Sequence, residues 1–577
     1  MIYNYFSGKK IKFLFLASFI FLFFSVSSVR ADTVGEKRTF FVDPNFDADK
    51  RSQITAVLIK VTPLAYFYVD EKWWNFTNQD KVYQAVSELG EEFQDKIHPI
   101  LTSAFGPEWN PGIDKDPHIF IVIHPMKKAG GGYFNSGDEY PKVQNPRSNE
   151  HEMIYLNSER ITSHLAKSFL SHEFVHLITF NQKENAYNVS EETWLNEARA
   201  EYAPTLVGYD DDYKGSNLEK RANFFSEDPS DSLLDWDNKE KDYGAVNLFI
   251  HYLAGQYGDK ILIDSLHSPK TGVESINDAL AKNGYKETFS QIFVDWTIAS
   301  IINDCNYGRR YCYLNKNLRN FYVFPQINLL PISGKSTLTF TDVTEGWAGN
   351  WYKIIGGRGD IKLSFMGSPD GKFNVPYIIK KKNGGYFVNF LELDKNQKGE
   401  IEIKNFGSED SALIIIPSAE ASLKPDSRYF SFSWEASIKK SGEEEGLIAR
   451  LMAKIEELKK EIALVQEKIR AILDERNKVN CEEIKNNLYY GLRNDQEVRC
   501  LQKFLREQGQ EIYPEGLVTG NFLQLTRLAV VRFQEKFAKE ILEPLGLKAG
   551  TGYVGPATRK KINEILSGGG KDRDFLF

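Results

Sequence analysis

The sequence predicts a multidomain chain: an α+β lobe, a β-sandwich, a coiled-coil helix and a small C-terminal domain. Three observations carry that prediction. A chain of 577 residues is too long for one hydrophobic core. From Leu330 to Ile438 the texture changes from mixed strand and helix patterns to short strands between Gly- and Asp-rich turns. From Ile448 to Leu473 apolar residues recur in heptads. The divisions are 1–31, 32–328, 329–440, 441–476, 477–568 and a tail, 569–577, predicted to be disordered after Gly568-Gly569-Gly570.

Residues 1–31 read as a signal peptide. Lys9, Lys10 and Lys12 form a basic start, Phe13 to Val26 an apolar run, and Val29-Arg30-Ala31 a small-residue cleavage site before Asp32. The run is shorter than the roughly 20 residues of a spanning helix, so cleavage and export are expected over an uncleaved anchor. Export permits disulfides. The four cysteines fall into two local couples, which predicts Cys305–Cys312 and Cys481–Cys500. The formal net charge of -7, from 72 basic and 79 acidic residues, gives no support for a nucleic-acid partner.

In the first lobe, Ala56–Val61 and Ala65–Val69 read as paired strands around a Thr62-Pro63 turn. Lys81 to Leu101 reads as a helix, with Val82, Val86, Leu89, Phe93 and Ile97 at helical spacing. His118–Ile123 and Glu152–Leu156 read as strands, and Gly130–Phe134 as a loop. A helix is expected from Ser158, as N-cap, to Gln182.

That helix carries His172-Glu173-Phe174-Val175-His176, an H-E-x-x-H pattern. At 3.6 residues per turn the two histidines share a face and can reach one metal ion, with Glu173 beside it. Taken by itself, the pattern is equally an amphipathic helix with polar residues on one face. Glu191 to Tyr202 reads as a second helix, whose Glu197 can return to the histidines as a third ligand. Two nitrogens and one oxygen leave a coordination position open, as in catalytic zinc sites. Glu201, one turn on, can accept the free ring N–H of a ligating histidine. His164 lies too far along the helix to share the metal, and His98, His118, His124, His151 and His267 have no ligand spacing.

His172–His176 followed by Trp194-Leu195-Asn196-Glu197 resembles the gluzincin metallopeptidases, closest to their aminopeptidase-like and hyicolysin-like branches. The resemblance covers roughly residues 150–260. It implies an α+β peptidase lobe, one catalytic Zn2+, ligands His172, His176 and Glu197, and Glu173 as general base. It also implies an edge strand that aligns substrate by β-addition; 152–157 is the expected strand, with an interior place as the alternative. Tyr243-Gly244-Ala245 onward resembles the helix that carries an oxyanion-stabilising tyrosine, so Tyr243 is the candidate, ahead of His251. Gly132-Tyr133-Phe134-Asn135 is not the G-x-M-E-N stretch of the related aminopeptidases, which favours endopeptidase action.

In the second lobe Thr337–Thr341, Tyr352–Ile355, Ile361–Phe365, Glu400–Lys404, Leu413–Ile416 and Tyr429–Trp434 read as sandwich strands. The heptads place Ile448, Ile455, Ile462 and Ile469 at one seam position and Leu451, Leu458, Val465 and Ile472 at the other. That composition favours a parallel two-stranded coil, hence a homodimer through residues 448–473; the alternative is a helix folded onto a neighbouring domain. Residues 481–566 resemble the bacterial peptidoglycan-binding domain, a small helical bundle, through Glu497–Leu505, Ala529–Gln534 and Gly552–Thr558. An internal echo runs through it: Thr519-Gly520-Asn521-Phe522 leads to Thr526 as Thr551-Gly552-Tyr553-Val554 leads to Thr558. The expected whole is a secreted or cell-wall-associated zinc endopeptidase acting on proteins or peptides. Its rivals are a non-catalytic wall-binding adhesin with a zinc-stabilised lobe, and a peptidase of peptidoglycan cross-bridges.

Overall fold

The structure is a computed structural model that describes residues 32–127, 130–331, 336–420, 428–438, 454–460, 462, 465 and 481–568. Residues 1–31, expected to be a signal peptide, the tail and most of the heptad segment lie outside the described residues. The chain forms two compact units, 1–441 and 442–577. The chain combines helix and sheet, which is compatible with an α+β reading.

The first unit opens with a six-stranded sheet. Its strands are β1 (Lys37–Phe41), β2 (Gln53–Val61), β3 (Ala65–Asp70), β4 (Ile119–His124), β5 (Gly132–Phe134) and β6 (Met153–Asn157). The order is β1-β2-β3-β4-β6-β5. β3, β4 and β6 run parallel, and β5 returns antiparallel beside β6. β3, β4 and β6 are buried along their whole length, which accounts for their continuous apolar character. The edge next to the helices is therefore β5, within the stretch expected to be a loop. The strand expected at the edge, 152–157, is interior. Three residues beside two glycines carry too little periodicity to register as a strand.

The helices are α1 (Glu71–Phe76), α2 (Gln79–Glu92), α3 (His98–Phe105), α4 (Ala166–Thr179), α5 (Thr193–Val207), α6 (Asn217–Glu227), α7 (Glu240–Tyr257), α8 (Lys260–Leu266), α9 (Gly272–Lys282) and α10 (Phe289–Ile302). α2 runs through a wider π turn, Phe93–Ile97, into α3, where Pro99 cannot donate to a regular ladder. α4 starts at Ala166 rather than Ser158. The intervening residues form a short 3-10 turn, Ser158–Arg160, capped by Asn157 instead. A π turn, Phe180–Asn185, extends the helix past Gln182.

α4 is buried on nearly every side, with Leu170, Phe174, Val175, Leu177 and Ile178 in the main core. Each such side chain contributes about 1.5–3 kcal/mol on burial. A helix this deep holds polar residues only where something satisfies them. A buried polar knot fixes α5 against the end of α4. Arg199 donates to Glu191 and Ser265 (both 2.8 Å), while Lys183 donates to the carbonyls of Ser265 and Ser268 (both 2.8 Å).

Two sheets form the sandwich. One has the order 398–406, 359–367, 429–438, 336–345; the other has 386–390, 376–381, 410–415, 352–356, 326–330. Their inner faces share a core that includes Ile354, Leu363, Phe365, Leu413, Phe432 and Trp434. The sandwich also seals onto the helices. Trp351 donates its indole N–H to the Thr297 carbonyl (2.9 Å), and Trp347 packs edge-on against Phe289 and Phe293. Disulfide Cys305–Cys312 follows α10.

In the second unit, residues 481–568 form helices at Gln496–Glu507, Gln524–Lys536, Ala538–Ile541 and Pro556–Gly568 around one core, with disulfide Cys481–Cys500. The sequence echo has a structural cause. Buried Gln502 accepts from the N–H groups of Thr519 (2.7 Å) and Gly520 (2.8 Å), and donates to Thr526 (2.8 Å). Buried Gln534 treats Thr551 (2.8 Å), Gly552 (2.9 Å) and Thr558 (3.0 Å) in the same way. Gly520 and Gly552 hold φ of 80° and 74°, a conformation that favours glycine. Of the heptad segment, Lys454–Lys460, Ile462 and Val465 are described, and they are helical. No helix among the described residues is long and apolar enough to cross a membrane.

Candidate functional site

α4 and α5 pack face to face and bring four predicted residues together. Nε2 of His172 and Nε2 of His176 lie 3.2 Å apart. Oε2 of Glu197 lies 3.2 Å from the first and 3.7 Å from the second. The outer ring nitrogens face away. Nδ1 of His176 donates to Asn196 Oδ1 (3.0 Å), and Nδ1 of His172 faces Glu201 Oε1 (3.3 Å). These partners aim both Nε2 atoms inward. Oε2 of Glu197 is buried and has no aligned hydrogen-bond donor, despite its closeness to the imidazoles.

This is the donor set a zinc ion takes. Tetrahedral ligands at 2.0–2.1 Å from zinc stand about 3.3 Å from one another. The observed triangle of 3.2, 3.2 and 3.7 Å matches that size. Glu173 also comes near, its ligand atom within 4.8 Å of the histidine nitrogens.

Electrostatics follow the packing. For His172, burial disfavours the charged form, but Glu197 and Glu201 outweigh it and lift the pKa to about 10. Burial leaves His176 below its ordinary value. Burial raises Glu173 to about 8, with Glu197 and Glu201 adding to the effect of burial and His172 opposing it. Glu201 is held low against burial by Arg221 and then His172. Arg221 binds Glu201 through Nε (2.8 Å) and Nη2 (2.5 Å), and Asn217 donates to the same carboxylate (2.8 Å).

A cleft of about 280 Å³ opens over His172 and Glu173. β5 and the glycines before it form one wall, Phe169 of α4 another, and α6 with Tyr243 of α7 the far side. Gly132 sits hard against β6 and α4: a Cβ there would lie 2.6 Å from the Tyr155 carbonyl oxygen and 2.9 Å from Cγ of Glu173, so a side chain is excluded unless the backbone shifts. Tyr243 lines the cleft, donates to Asn238 (3.0 Å) and lies under the Arg221 guanidinium, 4.6 Å from its ring centre. His251 is elsewhere, buried between Asn247 and Thr205. His164 bonds the Gly215 carbonyl (2.9 Å), away from the triangle.

The sequence reading missed Asn196, Asn217, Lys220, Arg221 and β5. Asn196 adjoins Glu197 and lies twenty positions beyond its partner His176, so the return of α5 onto α4 could have suggested it. The α6 residues have no motif; only their helical spacing places them on one face.

No family model matches the chain, and no curated protein matches it. Among solved structures it is similar to a family GH115 4-O-methyl-alpha-glucuronidase with specificity for decorated arabinogalactans. Identity is 7%, coverage is 56% of this chain and 51% of that one, and the TM-score is 0.10. A likeness that slight carries no argument about fold or activity.

Proposed function

We propose that the chain is an exported zinc-dependent endopeptidase of gluzincin type, tethered to the cell wall by its C-terminal domain. The observation that carries this reading is the triangle of inward-facing Nε2, Nε2 and Oε2 atoms with Glu173 beside it. His172, His176 and Glu197 would hold the ion, and Glu201 and Asn196 would orient the two imidazoles. Zinc supplies a Lewis acid that polarises a carbonyl and acidifies water. Glu173 takes the water's proton and passes it to the leaving amine. Tyr243, across the cleft, is the candidate to hydrogen-bond the developing oxyanion. Among the described residues β5 pairs with β6 alone, so its other edge can take an extended peptide by strand addition. The wall tether rests on the resemblance of residues 481–566.

The test joins metal analysis to a peptide-library digest with and without chelator. Glu173→Gln should keep stoichiometric zinc and lower kcat by about 10²–10⁴, the contribution of a general base. His172→Ala should lose the metal. Unchanged turnover in folded Glu173→Gln overturns the mechanism. A wild-type protein that binds zinc yet cuts no peptide overturns the activity.

A further inference from the structure

α6 turns one face to the cleft, carrying Asn217, Lys220, Arg221 and Phe224 at helical spacing. Asn217 and Arg221 are committed to Glu201. Phe224 contributes its ring. Lys220 sets its ammonium 5.5 Å from the centre of that ring. Among the described residues no carboxylate lies within ion-pair distance of it, and no carbonyl accepts from it. The other described lysines of the cleft are engaged: Lys127 with the Asn45 carbonyl, and Lys239 with Asp237 (2.8 Å). Burial holds the Lys220 pKa down to about 8, so the group is still charged at neutral pH. A partly desolvated cation over an aromatic face, without a protein acceptor, costs free energy in the empty cleft. An anionic ligand group recovers that cost.

We propose that Lys220 is a specificity residue whose ammonium receives a carboxylate of the bound peptide. The proposal deepens the peptidase reading and rests on it. Two sources share this chemistry, an Asp or Glu side chain near the scissile bond and the C-terminal carboxylate of a short substrate.

The test measures binding rather than turnover, by calorimetry on zinc-loaded Glu173→Gln protein. One arm uses acetylated, amidated hexapeptides in which a single Asp is moved along the chain, each against its Asn counterpart. The other compares the same neutral peptide with a free and an amidated C-terminus. In one arm the carboxylate form should bind about tenfold tighter, the order of one charge-assisted hydrogen bond. That ratio should fall to near one with Lys220→Met and persist with Lys220→Arg, both checked for fold by circular dichroism. Equal affinities in both arms, or no binding of any peptide, overturn the proposal. So does a preference that survives Lys220→Met. Failure of the peptidase reading would show separately, as absent hydrolysis by the protein with Glu173 intact.

Discussion

Glu201 shows how one carboxylate is made to serve a neighbour. It is wholly buried and faces the outer nitrogen of His172, and two cationic or amide groups of α6 hold it. The arginine is the partner that matters energetically, because it is itself mostly buried. Arg221→Met should therefore leave an uncompensated charge and cost about 3–5 kcal/mol, read from urea unfolding. Adding Glu201→Gln should restore much of that loss, since the charge needing compensation is then gone. A loss below about 1 kcal/mol for Arg221→Met, the range of an exposed pair, would refute this account. At this scale the sequence was legible where spacing encodes chemistry. His172, Glu173, His176, Glu197 and Glu201 are fixed by helical turns within two helices, so their meeting could be read directly. Arg221 and Lys220 come from a third helix whose approach no local pattern encodes.

At the scale of elements, the cleft depends on β5, and β5 depends on how its connection to β6 is held. Glu139 ends the short turn after β5, and Glu152 immediately precedes β6. Both are buried. Both oxygens of Glu139 and Oε2 of Glu152 have no donor among the described residues except the proton the two carboxyls can share with each other, while Oε1 of Glu152 accepts from Ile113 N–H (2.8 Å). Asp114 and Asp138 add negative charge nearby. Burial, then Asp114, lifts Glu152 from 4.5 to about 7, and burial with Glu152 lifts Glu139 well above its ordinary value. The sign follows from proton counts. Between pH 4.5 and about 7 the folded state holds a proton that the unfolded state has released, so stability falls as pH rises through that window. Glu152→Gln keeps the acceptor for Ile113 and cannot ionise. It should raise the melting temperature at pH 8, with little change at pH 4. An equal effect at both pH values would show that packing, not ionisation, governs this turn. The sandwich strands were read more easily than β5, because alternation over several residues is a stronger signal than three residues beside glycines. Even there 326–330, 372–374, 376–381, 386–390 and 418–420 were missed. In 376–381 the first four residues are all buried, so a period of two does not show, and the shortest pieces are below the length at which one shows.

At the scale of the whole molecule, the open question is what covers the heptad stripe. Leu458, Ile462 and Val465 are exposed on helical backbone, and their seam partners Ile448, Leu451, Ile469 and Ile472 lie outside the described residues. A helix with an apolar stripe gains stability only when a partner buries it. A strict seven-residue period suits a supercoiled partner of the same period better than a globular surface, which favours a second copy of the chain. Dimerisation would also place two C-terminal domains on one particle, so that a weak wall contact by each becomes an avid one for the pair. We therefore expect light scattering to give the mature wild type twice the mass of one chain at micromolar concentration. Replacing Ile455 and Ile462 by Asp should return it to the mass of one chain, because two charges enter the seam of each strand. The same substitution should weaken sedimentation with purified peptidoglycan by about a hundredfold, the lower end of what pairing two modules contributes, with peptide hydrolysis retained. A wild type that stays at the mass of one chain ends this account. The stripe would then have to be covered within its own chain.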